Sequence, residues 1–225
     1  MFDRLTKIID EKSFAKIKNL NILLVGVGGV GGYALETLVR MGINNITIVD
    51  YDKVEITNIN RQIIATSKTI NKYKVDVAKE RALSINPNIK IKTIKDNINK
   101  DNYFELFKDS YDYVIDACDT ITTKILLIEY CVLNDIKIIS CMGTGNRLDP
   151  TKLEITNIWK TNNDPLAKII RKLLKEKNIK EKIPVICSKE LPIKIKDRNP
   201  GSTSTVPSVA GIYITSYIIN DTLKK

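Results

Sequence analysis

The sequence predicts an α/β protein with a doubly wound, mostly parallel sheet. Three observations carry this. Short apolar runs alternate with helical stretches over residues 21–141; the first run, Asn21–Val25, breaks into a cluster of glycines; and the second run ends on an acid, Asp50.

The elements follow in order. NILLV at Asn21–Val25 is apolar almost throughout, as a strand covered on both faces must be. Gly26, Gly28, Gly29 and Gly31 make a sharp turn, and apolar residues then recur at helical spacing over residues 30–41. NITIVD at 45–50 is the second strand, followed by the long loop YDKVEITNINRQ. A charged helix over 73–85 stops at Asn86-Pro87, because the residue before a proline disfavours helical geometry. A strand at 89–94, a short helix at 100–107 and the strand YVID (Tyr113–Asp116) come next. A helix at 122–134 and a fifth strand at 136–141 complete a Rossmann-like alternation. After Pro150 the rhythm changes. LEITNIW (153–159) reads as a strand, DPLAKIIRKLLKEK (164–177) as a basic amphipathic helix and IPVICS (183–188) as another strand. A Ser/Thr/Pro loop at 200–207 leads into an apolar C-terminal helix. The expectation is one domain over residues 1–225: a Rossmann-like core over 1–145, and a substrate-side extension over 146–225 adding antiparallel strands.

Composition narrows the function classes. A chain of 225 residues can bury a substantial core. It contains no histidine, so proton transfer or metal binding falls to carboxylates, amines, thiols, hydroxyls or the substrate itself. Cys118, Cys131, Cys141 and Cys187 form no CxxC pair, which argues against structural zinc and a disulfide scaffold and points to a reducing cytoplasm. No apolar run is long enough to span a bilayer and MFDR opens no signal peptide, so no membrane partner is expected. The net charge of +10 concentrates in residues 168–182 and 194–198. A solvated lysine-rich surface and a nucleic-acid partner both account for that.

The glycine loop delivers a helix N-terminus to an anion, and its free N–H groups favour phosphate. Asp50, at the end of the second strand, is placed to accept hydrogen bonds from ribose hydroxyls. NAD and ATP both fit so far. Asn58, Arg61 and Lys74 then lie at the mouth of the same site. Hydride transfer needs no pair of cations there, whereas expelling pyrophosphate does, because charge accumulates on the leaving group. The fourth strand ends in Asp116-Ala-Cys-Asp119, followed by Lys124. Asp119 is well placed for a magnesium ion, or it caps the next helix.

GxGGVG, IVDYDKVEITNINRQ, the lysine of KYKVDVA and DACDTxxxK together resemble the ubiquitin-activating-enzyme-like adenylating proteins, over residues 2–145. The resemblance implies ATP in the crevice and adenylation of a carboxylate. It implies that Gly26, Gly28, Gly29 and Gly31 cradle ATP and that Asp50 holds the ribose. Asn58, Arg61 and Lys74 would contact phosphates, Asp119 would serve magnesium through ATP, and Asp52 and Lys124 would complete the nucleotide set. Arg4 would reach in trans into the partner site of a homodimer.

From Met142 onward, MGTGNRLDPTKLEI, NDPLAKIIRKLLKE, VICSKE and GSTSTVPSVAG resemble the tRNA threonylcarbamoyladenosine dehydratases. That resemblance implies a tRNA carrying threonylcarbamoyladenosine, whose carboxylate is adenylated and then attacked from within the same group. Proximity then replaces a protein nucleophile. Lys168, Arg171, Lys172 and Lys175 would meet tRNA phosphates, from a helix whose apolar stripe is Leu166, Ile169, Ile170, Leu173 and Leu174. Cys187 is expected to be a buried strand residue, and Trp159 and Tyr213 to be packing. The alternative is adenylation of the Gly-Gly tail of a sulfur-carrier protein; cooperation with a sulfur-transfer protein stays open.

Overall fold

The computed structural model describes residues 1–197 and 199–224. Arg198, which closes the basic run at 194–198, lies outside the described residues. Seven strands form one sheet: β1 (Asn21–Val25), β2 (Asn45–Val49), β3 (Lys90–Ile94), β4 (Tyr113–Asp116), β5 (Lys137–Cys141), β6 (Leu153–Asn157) and β7 (Pro184–Ser188). Their spatial order is β3-β2-β1-β4-β5-β7-β6. All neighbours pair in parallel except β6 with β7. The extension therefore continues the sheet through a parallel β7 and turns antiparallel only at its outermost strand. Strand order reverses between β1 and β4, which opens a crevice beyond their C-terminal ends.

The helices are α1 (Glu11–Lys18), α2 (Gly31–Arg40), α3 (Lys74–Ile85), α4 (Ile121–Leu133), α5 (Pro165–Glu176) and α6 (Thr205–Leu223). β1 shows why its run is apolar. Ile22 and Leu24 face a core with Leu38, Val75 and Ile214, while Leu23 and Val25 face another with Ile128, Ile170 and Leu174. α6 is apolar nearly all round because it lies against α2, where a Cβ on Gly211 would collide with the Val30 carbonyl. Thr37 and Thr215 share a hydrogen bond of 2.7 Å across that interface. Among the described residues, no helix is long and apolar enough to cross a membrane.

Three elements differ from what the sequence predicts. α1 carries no sequence signal strong enough to announce it; Asp10 caps it by accepting from Ser13 N–H at 2.8 Å, and only Ile17 is fully buried. Residues 100–107 do not form an α-helix: Tyr103–Lys108 is a kinked 3-10 segment, bent where the Phe107 ring stacks on Tyr130 at 3.9 Å. β6 stops at Asn157, whose side chain turns back to cap Ile158–Lys160.

Candidate active site

The crevice holds a cavity of about 610 Å³ that runs from the glycine loop to the segment after β5. The loop's glycines divide by cause. Gly26 has φ +89°, and a Cβ there would lie 2.7 Å from the Ala117 carbonyl oxygen, while one at Gly31 would collide with the Gly26 carbonyl. Both are glycine because the turn and the β4 end leave no room. At Gly28, by contrast, a Cβ would meet only Gln62 Nε2, at 3.7 Å. Gly28 lines the cavity, so its missing side chain leaves space that the fold itself does not use. Gln62 Oε1, nearby, is buried without a partner. Open space beside an unsatisfied buried polar atom fits a polar ligand seated on the loop.

The acids and cations lie on loops that leave β2 and β4. Asp50 accepts from Val27 N–H at 2.8 Å and Asp52 N–H at 2.9 Å, which locks the second-strand acid against the glycine loop. Burial raises its carboxyl above the ordinary value, opposed by Lys74. Lys74 pairs with Asp52 at 2.6 Å, and its N–H also reaches the Asp52 carbonyl at 2.9 Å. Arg61 donates to the Thr57 carbonyl at 2.8 Å and to Asn60 Oδ1 at 3.1 Å; no carboxylate pairs with it among the described residues. Asn58 is buried, and its Oδ1 accepts from Glu55 N–H at 3.1 Å, so that side chain also shapes the turn that presents Arg61. Asp119 lines the cavity and pairs with no cation among the described residues. It does not cap α4: the cap position is Thr120, without a side-chain bond.

Lys124 is placed differently from the sequence expectation. It is wholly buried beneath the site, 3.0 Å from the equally buried Asp116 and 2.7 Å from the Cys141 carbonyl, and it does not line the cavity. A buried carboxylate at the end of β4 demands a cation, and Lys124, at the end of the first turn of α4, supplies it. Ser140 completes that cluster by donating to Asp116. Burial disfavours the thiolate form of the cavity cysteines: it raises Cys118 well above its usual value, with Asp116 adding to it, and pushes Cys141 up to about 12. Cys131 and Cys187 are likewise pushed up to about 12 by burial.

The far half of the cavity is less legible in the sequence. Arg147 and Asp164 are both buried and lie 3.5 Å apart. Arg147 donates to the carbonyls of Gly143 at 3.1 Å, Asn163 at 3.0 Å and Glu190. Asp164 accepts from Gly143 N–H at 3.0 Å and caps α5 through Ala167 N–H at 2.9 Å. The sequence signal is only that a charged residue interrupts MGTGNRLDP.

α5 starts at the cavity with Asp164, Pro165 and Leu166. Its buried residues are Ala167, Ile170 and Leu174, with Leu166 and Leu173 half-buried; Ile169, assigned to the stripe, is 43% exposed. Arg171 is not available to a phosphate, because it turns inward to the Thr161 carbonyl at 3.0 Å and to the Thr161 hydroxyl. The carbonyls that end the Ile158–Lys160 turn need a donor, and Arg171 is the one above them. Lys168, Lys172 and Lys175 remain exposed. Trp159 donates to the Glu181 carbonyl at 2.8 Å and packs on the core, as does Tyr213. Arg4 is exposed and does not line its own chain's cavity.

A sequence model of the ThiF family matches residues 2–218. The tRNA threonylcarbamoyladenosine dehydratase of Bacillus subtilis (strain 168) is 39% identical over 240 residues, covering 99% of this chain and 94% of the relative. The crystal structure of the E. coli tRNA N6-threonylcarbamoyladenosine dehydratase in complex with ATP superposes with a TM-score of 0.93 at 32% identity, over 99% of this chain and 93% of that one. The adenylyltransferase and sulfurtransferase UBA4 of Saccharomyces cerevisiae is 35% identical over 143 residues, which cover only 64% of this chain and 32% of that protein. The chain therefore belongs to the ThiF family and, within it, to the tRNA threonylcarbamoyladenosine dehydratases.

Proposed function

We propose that this chain is the ATP-dependent enzyme that removes one water from threonylcarbamoyladenosine beside the anticodon of a tRNA. The threonyl carboxylate attacks the α-phosphorus of ATP and pyrophosphate leaves; an atom of the carbamoyl group then attacks the acyl carbon, closing a ring and releasing AMP. The carboxylate oxygen leaves with AMP, which accounts for the lost water. One observation carries the reading: a single cavity joins a glycine loop, and an arginine that pairs with no carboxylate among the described residues, to a second half where burial disfavours the thiolate of Cys141. A reaction whose nucleophile belongs to the substrate suits such a site, because orientation supplies the advantage.

Gly26, Gly28, Gly29 and Gly31 would cradle ATP at the N-terminus of α2, Asp50 would hold the ribose, and Asn58, Arg61 and Lys74 would contact the phosphates. Asp52 would release Lys74 to them. Asp119 offers a hard oxygen to a magnesium ion held mainly by phosphates and water, which commonly needs no more than one or two protein carboxylates. That ion would offset charge on the departing pyrophosphate. Residues 146–225 act as the substrate side of one domain over 1–225, and four unpaired cysteines suit a cytoplasmic enzyme.

Incubation with MgATP and tRNA bearing threonylcarbamoyladenosine, followed by nucleoside mass spectrometry, should show loss of one water. AMP formation only with a protein ending in Gly-Gly would transfer the chain to the sulfur-carrier adenylators. Arg4 is assigned to the neighbouring site of a homodimer. Mixing Arg4→Ala with Asp119→Ala protein should restore part of the lost activity, since one hybrid site has both residues; zero recovery despite subunit exchange removes the in-trans role.

A further inference from the structure

The side chain of Asn60 joins the two halves of the cavity. Its Oδ1 accepts from Arg61 at 3.1 Å, and its Nδ2 donates to the Ser202 carbonyl at 2.9 Å, across 142 positions of sequence. The amide can sit only one way round: a guanidinium offers donors alone and a carbonyl oxygen accepts alone, so a flipped amide would lose both bonds. The chain reaching Ser202 is held at a second point. Asn146, with φ 58°, accepts from Gly201 N–H through Oδ1 at 2.7 Å, and its own N–H reaches the Gly201 carbonyl at 2.7 Å. Ile193 N–H donates to the Asn146 carbonyl, also at 2.7 Å. Pro192, Pro200, Gly201 and Ser202 line the cavity, so the segment at 200–202 forms, with Pro192, a wall of its substrate half.

We propose that Asn60 is a positioning residue that couples occupation of the phosphate site to this wall segment at 200–202. Arg61 meets the nucleotide under the proposed function, on which this inference rests. A nucleotide that fixes the Arg61 guanidinium fixes the Asn60 amide, and the amide then holds the Ser202 carbonyl. Ordering the segment once serves both ligands, so each should bind tighter with the other present, by the same factor in both directions.

Asn60 is exposed, so its replacement should leave the fold intact. Hydrogen exchange of peptides spanning the wall segment tests the coupling without any tRNA. In the parent chain, a non-hydrolysable ATP analogue should slow exchange there severalfold; in Asn60→Ala and Asn60→Asp, with unchanged melting, it should not. Asn60→Asp keeps an acceptor for Arg61 but sets a carboxylate against the Ser202 carbonyl, so it separates the two bonds. No nucleotide effect in the parent, or an equal effect in both variants, overturns the proposal. A second arm compares affinity for tRNA bearing threonylcarbamoyladenosine with and without the analogue. The parent should show roughly fivefold tightening and Asn60→Ala less than about twofold. Nucleotide protection in the parent without any tRNA turnover would indict the proposed substrate, not Asn60.

Discussion

The two halves of the cavity are built from similar residues put to opposite use. In the nucleotide half, Arg61 and Asp119 face the cavity with no ionic partner among the described residues, and Gly28 leaves room that the fold does not fill. In the substrate half, Arg147 is closed off by three carbonyls and Asp164; farther along α5 and outside the cavity lining, Arg171 is closed off by the turn at Thr161. Lys124, between them, is sealed against Asp116. A charged side chain closed off in the interior by its own chain has little left to offer a ligand, whereas one held at the cavity, unpaired like Arg61 or paired only with the half-exposed Asp52 like Lys74, is ready for charge that appears during reaction. Replacing the first kind should cost stability, and replacing the second should cost turnover.

The largest effect expected is on turnover. Arg61→Ala and Asp119→Ala should each cut AMP formation at least on the order of a hundredfold, as loss of a group facing developing charge does. Thermal midpoints should stay within about 2 °C of the parent, because neither residue holds the core. Near-normal AMP release with native-like melting would break the division between the halves at its strongest point.

Arg147→Met should do the reverse. It leaves Asp164 and three carbonyls without their buried cation, a class of change that costs about 3–5 kcal/mol. The urea midpoint should fall clearly, and turnover per folded molecule should change far less. Lost turnover at unchanged stability would instead move Arg147 into the reacting machinery.

The same difference explains what could be read from sequence. The strands of the first 145 residues carry apolar runs between turn residues, so they were legible to within one or two positions, and the glycine loop, Asp50 and Arg61 came with them. α1 escaped because eight residues with one buried isoleucine carry little periodic signal. Lys124 and Arg171 were misplaced for a shared reason. Lysine and arginine at helical spacing look alike in sequence whether they face a ligand or fill a buried acceptor, and the acceptors here, Asp116 and the Thr161 carbonyl, lie 8 and 10 residues away. Arg147 and Asn60 sit inside motifs that are plain in the sequence, but their partners, Glu190 and Ser202, lie far along the chain. Only folding brings them together.

α5 sharpens the comparison, because an inward-turned arginine and solvent-exposed lysines share one helix, Lys172 having only an exposed pairing with Glu176 at 3.8 Å. Replacing Lys168, Lys172 and Lys175 with glutamine should weaken tRNA binding and flatten its salt dependence, by roughly one unit of log–log slope for each phosphate no longer neutralised. ATP affinity should not change. Arg171→Gln should lower melting and leave the slope alone. An unchanged slope in the triple variant would make the helix a solvated face, with tRNA docked elsewhere.

The smallest effect concerns the opposite ends of the strands, where α6 is fastened to the first residues of β4 and β5. Asp221 accepts from the Tyr113 hydroxyl at 2.6 Å and pairs with Lys137 at 2.8 Å. The Lys137 and Tyr113 hydrogen bonds lower its carboxyl from 3.8 to about 2, and the Asp221 bond raises Lys137. A carboxyl lowered on folding contributes stability in full above its unfolded value and loses it as pH falls through the folded one. The lysine's contribution is complete below its unfolded value, near 10.5, so the cluster should be insensitive to pH between about 5 and 9. Asp221→Asn should therefore be less stable than the parent by a constant margin across that range, and the margin should narrow as pH drops below about 4. Both proteins should turn over substrate equally at neutral pH, since this cluster serves the architecture and lies away from the cavity. A margin that follows pH between about 6 and 8 would mean that some other group holds the end of α6.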